Sequence, residues 1–277
     1  METGPDKTAA LPASGKFPGR EQDENLSVGL AFGSGFFSVW QYADKFGEDC
    51  IGELRIPEGE KNLTEHMRRE GPLPVFALSF SPAFTLLPGG LFEETEISSA
   101  LELTTAYSAE RPAEFDRLPE ADAVLVYEDS DGAQDVLDRI MPGLKLHHGA
   151  GHLLRVLTAV STGGAECFLF ARDKVYFIFV LSEGAPLLAN SVTAENTSDI
   201  VYFTLFALKQ TLPVPAAEVK TVLLGDAAAR DDLREALAAY IRNVDSELSP
   251  ASIDTSGNPD PKSFARYIIG YTAKLCA

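Results

Sequence analysis

Residues 166–192 read ECFLFARDKVYFIFVLSEGAPLLANSV, and the fold of the whole chain turns on how this stretch and its continuation to Val244 are read. Three largely apolar runs, Glu166 to Ala171, Lys174 to Leu181 and Pro186 to Val192, are separated at Arg172-Asp173 and Glu183-Gly184. Such runs, broken by turn residues, predict a three-stranded meander. Ser198, or Thr197 beside it, can cap the helix that follows, and Asp199 suits its electropositive first turn. From Ile200 to Leu212 that helix is apolar nearly all round, through Val201, Tyr202, Phe203, Leu205, Phe206 and Leu208. A helix of this kind is expected to be covered on most sides. Pro213 and Pro215 stop it, Lys220 to Leu224 predicts a strand, and Leu233, Leu237, Tyr240 and Ile241 give a second helix its buried stripe.

Outward from this stretch the pattern recurs. Leu26 to Phe32 and Phe36 to Tyr42 predict antiparallel strands joined by Gly33-Ser34-Gly35, and Cys50 to Ile56 predicts a third. Lys61 to Arg69 reads as a short helix. Val75 to Phe80 and Phe84 to Leu87 read as strand runs broken at Ser81-Pro82, where the missing N–H points to a sheet edge or turn. Leu91 to Leu103 is a mixed helical segment, Arg111 to Pro119 a loop, Ala121 to Tyr127 a buried strand and Gly132 to Met141 a helix. Another helix, His148 to Val160, sets Leu153, Val156, Leu157 and Val160 on one face. Phe264, Ile268, Tyr271 and Leu275 mark a last amphipathic helix after Pro261. Each half therefore runs from hairpin strands to a helix, a strand and a helix. The division expected is a disordered, Pro- and Gly-rich tail over residues 1–25, one domain over 26–160 and a second over 161–277.

A chain of 277 residues, 45% of them apolar, can bury a real core. Its net charge of −18 is spread along the chain and would repel nucleic-acid phosphates and anionic lipid heads. Cys50, Cys167 and Cys276 are too few and too far apart for a disulfide framework or a zinc knuckle, which suits a reducing compartment and a cytoplasmic location. No run is long and apolar enough for a membrane span.

Several short motifs occur in a telling order. They are Phe84-Thr85-Leu86-Leu87-Pro88 with Leu91-Phe92, His147-His148 before a leucine-bearing helix, Leu187-Leu188-Ala189-Asn190-Ser191, Asp199-Ile200-Val201-Tyr202 and Ala239-Tyr240-Ile241-Arg242. In these the chain, from Leu26 onward, resembles an uncharacterised bacterial family, the domain of unknown function 3822 family, whose members are similar in fold to the actin-like ATPases. The resemblance implies an α/β protein of two similar actin-like (ribonuclease H-like) domains, each a mixed sheet with flanking helices. More distantly the layout is similar to the actin-like assembly proteins of type IV pilus and type II secretion machinery, which are platforms as much as enzymes. An unidentified protein partner is what that likeness implies.

ATP hydrolysis in this architecture needs a carboxylate at the end of the first strand, beside a glycine-bearing hairpin that meets the phosphates. Here the strand ends Leu30-Ala31-Phe32, with apolar residues where the carboxylate is wanted. Gly33, Ser34 and Gly35 are placed to approach a phosphate through their backbone, although a tight turn uses glycine anyway. At the second hairpin the carboxylate, Asp173, sits in a turn without glycine. Gly225 and Asp226, between a strand and a helix, are the remaining nucleotide candidates, and Gly225 serves a strand-to-helix turn equally well. No cofactor is expected; ATP with magnesium, at Gly33, Ser34, Gly35, Gly225 and Asp226, is the one candidate, and no catalytic residue is assigned. His148 and His152 lie four apart, as metal ligands on one helix face would, but Gly149-Ala150-Gly151 supplies no carboxylate between them. Cap or surface histidines are the plainer reading, and no metal is expected. The function expected is that of a degenerate actin-like protein acting by binding; the alternative is a nucleotide-binding ATPase or phosphotransferase with divergent motifs.

Overall fold

A computed structural model describes residues 26–33, 36–43, 52–57, 61, 64–65, 74–105, 107, 111–129, 132–249 and 260–272. The tail read over residues 1–25, the hairpin tip at Ser34-Gly35 and most of the helix read over 61–69 lie outside these residues.

Two five-stranded sheets repeat one plan. In the first, β1 (Leu26–Gly33), β2 (Phe36–Ala43) and β3 (Gly52–Pro57) form an antiparallel meander. Strand β4 (Pro74–Ser79) lies parallel beside β1, and β8 (Leu146–His148) lies parallel beside β4. The second sheet has β9 (Ala165–Arg172), β10 (Val175–Ser182) and β11 (Ala185–Thr193) as its meander, then β12 (Lys220–Gly225) and β13 (Asn243–Asp245) in parallel beside β9. The orders are β3-β2-β1-β4-β8 and β11-β10-β9-β12-β13, the same arrangement twice. A third sheet, β5 (Phe84–Pro88), β7 (Ala123–Glu128) and β6 (Ala113–Leu118), is inserted between β4 and β8 together with α1 (Ile97–Thr104).

Side-chain alternation along the strands sorts the cores. In the second sheet Phe168, Phe170, Phe177, Phe179 and Leu224 face one way, and they share one continuous core with Ala31, Phe76 and Leu78 of the first sheet. Between the sheets run α3 (Gly149–Val160) and the short α6 (Pro261–Arg266) and α7 (Ile268–Tyr271), which add Leu153, Leu157, Phe264 and Ile268 to that core. The opposite face, with Cys167, Leu169, Ile178 and Val180, is covered by α4 (Thr197–Thr211) and α5 (Asp231–Ala238). Leu30, Phe32 and Ala77, on the far side of the first sheet, are covered by α2 (Ala133–Ile140) through Leu137. The chain is therefore stacked as helix, sheet, helices, sheet, helices. Strands covered on both faces must be apolar without interruption, which is why β9 and β10 read as nearly continuous hydrophobic runs.

Two expectations from sequence need correction. Residues 113–118 form a strand and not a loop: three of the six residues, Glu114, Asp116 and Arg117, are charged, which hides a pattern in which Asp116 and Leu118 are buried. The break read at Ser81-Pro82 is a turn as expected: Pro82 falls beyond the end of β4, which is central in its sheet, and before β5, an edge strand of the third sheet. The apolar helix α4 is covered on one side only: Ile200, Val201, Thr204, Ala207 and Leu208 are buried, while Tyr202, Phe203 and Phe206 face outward.

Candidate functional site

The candidate residues lie where the parallel strands of both sheets end. Gly33 is the last residue of β1 and pairs with Phe36 across the hairpin. Next to it the Phe32 carbonyl accepts the Phe80 N–H at 3.1 Å, which fixes Phe80 just past the end of β4. Gly225 ends β12 beside Ala171 of β9. Between these two ends Phe80 stacks on Phe170 at 5.6 Å between centroids and meets Phe177 edge-on at 5.8 Å. The Arg172 guanidinium lies 4.9 Å over the other part of this group, the Phe80 ring, and Arg172 is itself buried. The ground between Gly33 and Gly225 is thus occupied by aromatic rings and one stacked cation.

Gly225 has φ 60°, in the left-handed region, and a Cβ there would stand 2.6 Å from the Ala171 carbonyl oxygen and 2.7 Å from the Phe170 ring. Its glycine is required by the backbone whether or not a ligand approaches. Replacing Gly225 with Ala is expected to cost about 2–4 kcal/mol, read as a fall in the urea midpoint, since a backbone oxygen cannot swing aside. Asp226 closes the same corner: its Oδ2 accepts the Asp173 N–H at 3.0 Å and so ties the β9–β10 turn to the end of β12. Asp173 is exposed, with φ 54°, as suits a turn residue.

His147, His148 and His152 each have their own partner. His148 caps α3, its Nδ1 accepting the Ala150 N–H at 3.2 Å, so the proton is on Nε2, which donates to the Ser81 carbonyl at 2.9 Å. His147 Nδ1 lies 2.7 Å from Asp116 Oδ1, and the other Asp116 oxygen accepts the His148 N–H at 2.7 Å. His152 Nε2 lies 2.7 Å from Thr272 Oγ1, whose own proton goes to the Ile268 carbonyl. Burial pushes His148 down to about 4 and His152 down to about 3, the latter helped by nearby Arg155. Among the described residues no three histidine, cysteine or carboxylate side chains gather as metal ligands would.

Two further polar groups are tied into networks. Glu166, at the start of β9, accepts from the Ser161 and Thr162 hydroxyls and meets Lys220 at 3.4 Å. Arg230 joins the starts of α4 and α5: it donates to Tyr176 Oη and Thr197 Oγ1, each at 2.7 Å, and grips Asp232 with two nitrogens. That grip holds the Asp232 carboxyl down to about 2. Phe80 and Arg172, which decide the character of the site, are absent from the sequence-level candidates. The only signal is that an aromatic residue follows β4 where a ligand-facing strand end would carry a small or polar one.

The pattern that defines one protein family matches residues 75–244, more than half of the chain. The chain belongs to the DUF3822 family, proteins of unknown function. Two solved structures place this family member in a fold. A protein from Bacteroides thetaiotaomicron VPI-5482, described as having an actin-like ATPase fold and unknown function, is similar with a TM-score of 0.69 and 17% identity over 80% of this chain and 91% of that one. A chain of the PilM-PilN type IV pilus biogenesis complex is similar with a TM-score of 0.58 and 13% identity over 91% of this chain and 98% of that one. At such identities the likeness is one of fold, and the DUF3822 member described here has the actin-like fold. No curated protein matches it in sequence.

Proposed function

We propose that this protein works by binding, as a cytoplasmic adaptor or assembly platform of actin-like fold without efficient ATP hydrolysis. The observation that carries the reading is the Phe80–Phe170 stack under Arg172, which stands between the two glycine-bearing strand ends where a nucleotide would need room and polar partners. Leu30 and Phe32, at the end of β1, are buried against α2 and offer no carboxylate to a metal or an attacking water. A protein partner is favoured because one protein of similar fold is part of a two-protein complex. Buried, unbridged Cys167, its thiol pushed up to about 12 by burial, agrees with a reducing compartment. No helix among the described residues is long and apolar enough to cross a membrane.

The competing reading, a nucleotide-binding ATPase or phosphotransferase with divergent motifs, would use Gly33, Ser34, Gly35, Gly225 and Asp226. Isothermal titration with ATP and magnesium separates the two. Absence of heat at millimolar nucleotide is expected. Tight binding together with measurable phosphate release would overturn the proposal.

A further inference from the structure

On helix α4 Tyr202 is 61%, Phe206 50% and Phe203 39% exposed, far above what aromatic side chains on a helix packed into an α/β stack require. Tyr202 stacks with Phe206 at 6.1 Å and lies edge-on to Phe203 at 5.3 Å, so the three rings form one continuous surface. Each residue of a helix turns by about 100°, which puts Asp199, Tyr202, Phe203, Phe206 and Lys209 within one stripe roughly 120° wide. The ends of the stripe are oppositely charged. Asp199 and Lys209 are both exposed, and among the described residues no ion pair holds Lys209. They stand about 15 Å apart along the axis, with the aromatic surface between them.

We infer that this stripe packs antiparallel against the same stripe of a second copy of the chain, with Asp199 of each copy beside Lys209 of the other and the rings of Tyr202, Phe203 and Phe206 interleaved at the centre. A two-fold axis near residue 204 brings positions 199 and 209 to the same level, within reach of a lysine side chain. That self-complementarity is what an isologous contact demands. A segment of uniformly basic or acidic character would match one end of the stripe and oppose the other. Two chains of net charge −18 repel at long range, but salt screens this beyond about 8 Å at physiological strength. The two ion pairs therefore set orientation more than affinity. One helix against one helix covers less than the roughly 1,200 Å² of a stable interface, so the pairing is reversible and weak, on the order of 100 μM.

The pairing does not depend on the binding reading given above. A protein that bound ATP tightly would pair just as well, whereas a strict monomer indifferent to ATP would overturn the pairing and leave that reading intact. Sedimentation velocity of the full chain, from micromolar to near-millimolar concentration at physiological salt, is the test. A shift from monomer to dimer is expected, with Phe206→Ser weakening it about tenfold. Asp199→Lys and Lys209→Asp each place like charges opposite one another and should each weaken self-association, about fivefold, while an equimolar mixture of the two variants pairs as heterodimer at least as well as the parent chain. Unchanged circular dichroism of each variant establishes that the fold is kept. The inference is overturned by a monomer at every concentration, by a mixture no more associated than its components, or by oxidative footprinting that finds the three rings protected in the monomer, since a segment of the same chain would then cover them.

Discussion

Lowering the pH from 7 towards 4 is expected to remove a large part of this protein's stability, through His148 and His152. In the folded chain both imidazoles are neutral and buried, with pKa values of about 4 and about 3 against 6.5 for a free side chain. Above 6.5 neither state of the protein binds a proton at these positions, so nothing is lost. As pH falls from 6.5 to 4 the unfolded chain takes up a proton at each histidine and the folded chain does not, which draws the equilibrium towards unfolding by about 1.4 kcal/mol per pH unit per histidine. Over that window the loss approaches about 3 kcal/mol each, against a total stability of about 5–15 kcal/mol for a typical domain. Protonating His148 inside the fold is no escape, since Nδ1 would have to give up the Ala150 N–H and place a charge among Phe84, Tyr127 and Phe177. Carboxylate effects come later: Asp232, held down by Arg230, loses its contribution only as pH falls from about 4 towards 2. Urea unfolding at a series of pH values reads the slope directly. Substituting His152→Gln should roughly halve it between pH 6 and 5, and a slope indifferent to that change would refute the assignment.

Truncation of Phe177 to Ala should cost about 3–5 kcal/mol and lower the melting temperature by about 10 °C or more. This side chain is fully buried on β10 and touches rings from both sheets and the insert: Phe80 beyond β4, Phe84 on β5, His148 at the head of α3 and Phe170 on β9. Because the core is shared, both sheets should melt together in a single transition that moves as one. Two transitions, of which only the one belonging to the second sheet shifts, would mean that the sheets hold separately.

Much of this architecture could be read before any coordinates. Residues 166–244 announced their meander, helix, strand and helix because strands covered on both faces cannot hide their apolar runs, and the resemblance placed them in the right fold. What stayed illegible was set by partners distant in sequence. Strand β6 was missed since Asp116, a charged residue in a buried position, is explained only by the His147 and His148 groups 31 and 32 residues away. The three-residue strands β8 and β13 are too short to carry a period and exist by pairing with β4 and β12. In the candidate site, Gly33 and Gly225 end strands and Asp226 follows β12, yet their sequence neighbours give no sign that Phe80 and Arg172 lie between them. For α4 the composition was plain and the exposure was not. A wholly apolar helix predicts burial on all sides, and only the layer order reveals that one side has nothing beyond it in the described chain.

The rings at the joint between the two sheets have a mechanical side. Phe80 reaches from the end of β4, lies across the face of Gly149, stacks on Phe170 and carries the Arg172 guanidinium over its ring, so that a single residue is wedged against parts of both sheets and the central helix. Close-packed aromatic groups have few alternative arrangements, and rocking one sheet against the other would separate several of these contacts at once. The protein is built less as a pair of jaws than as a bracket that keeps one shape.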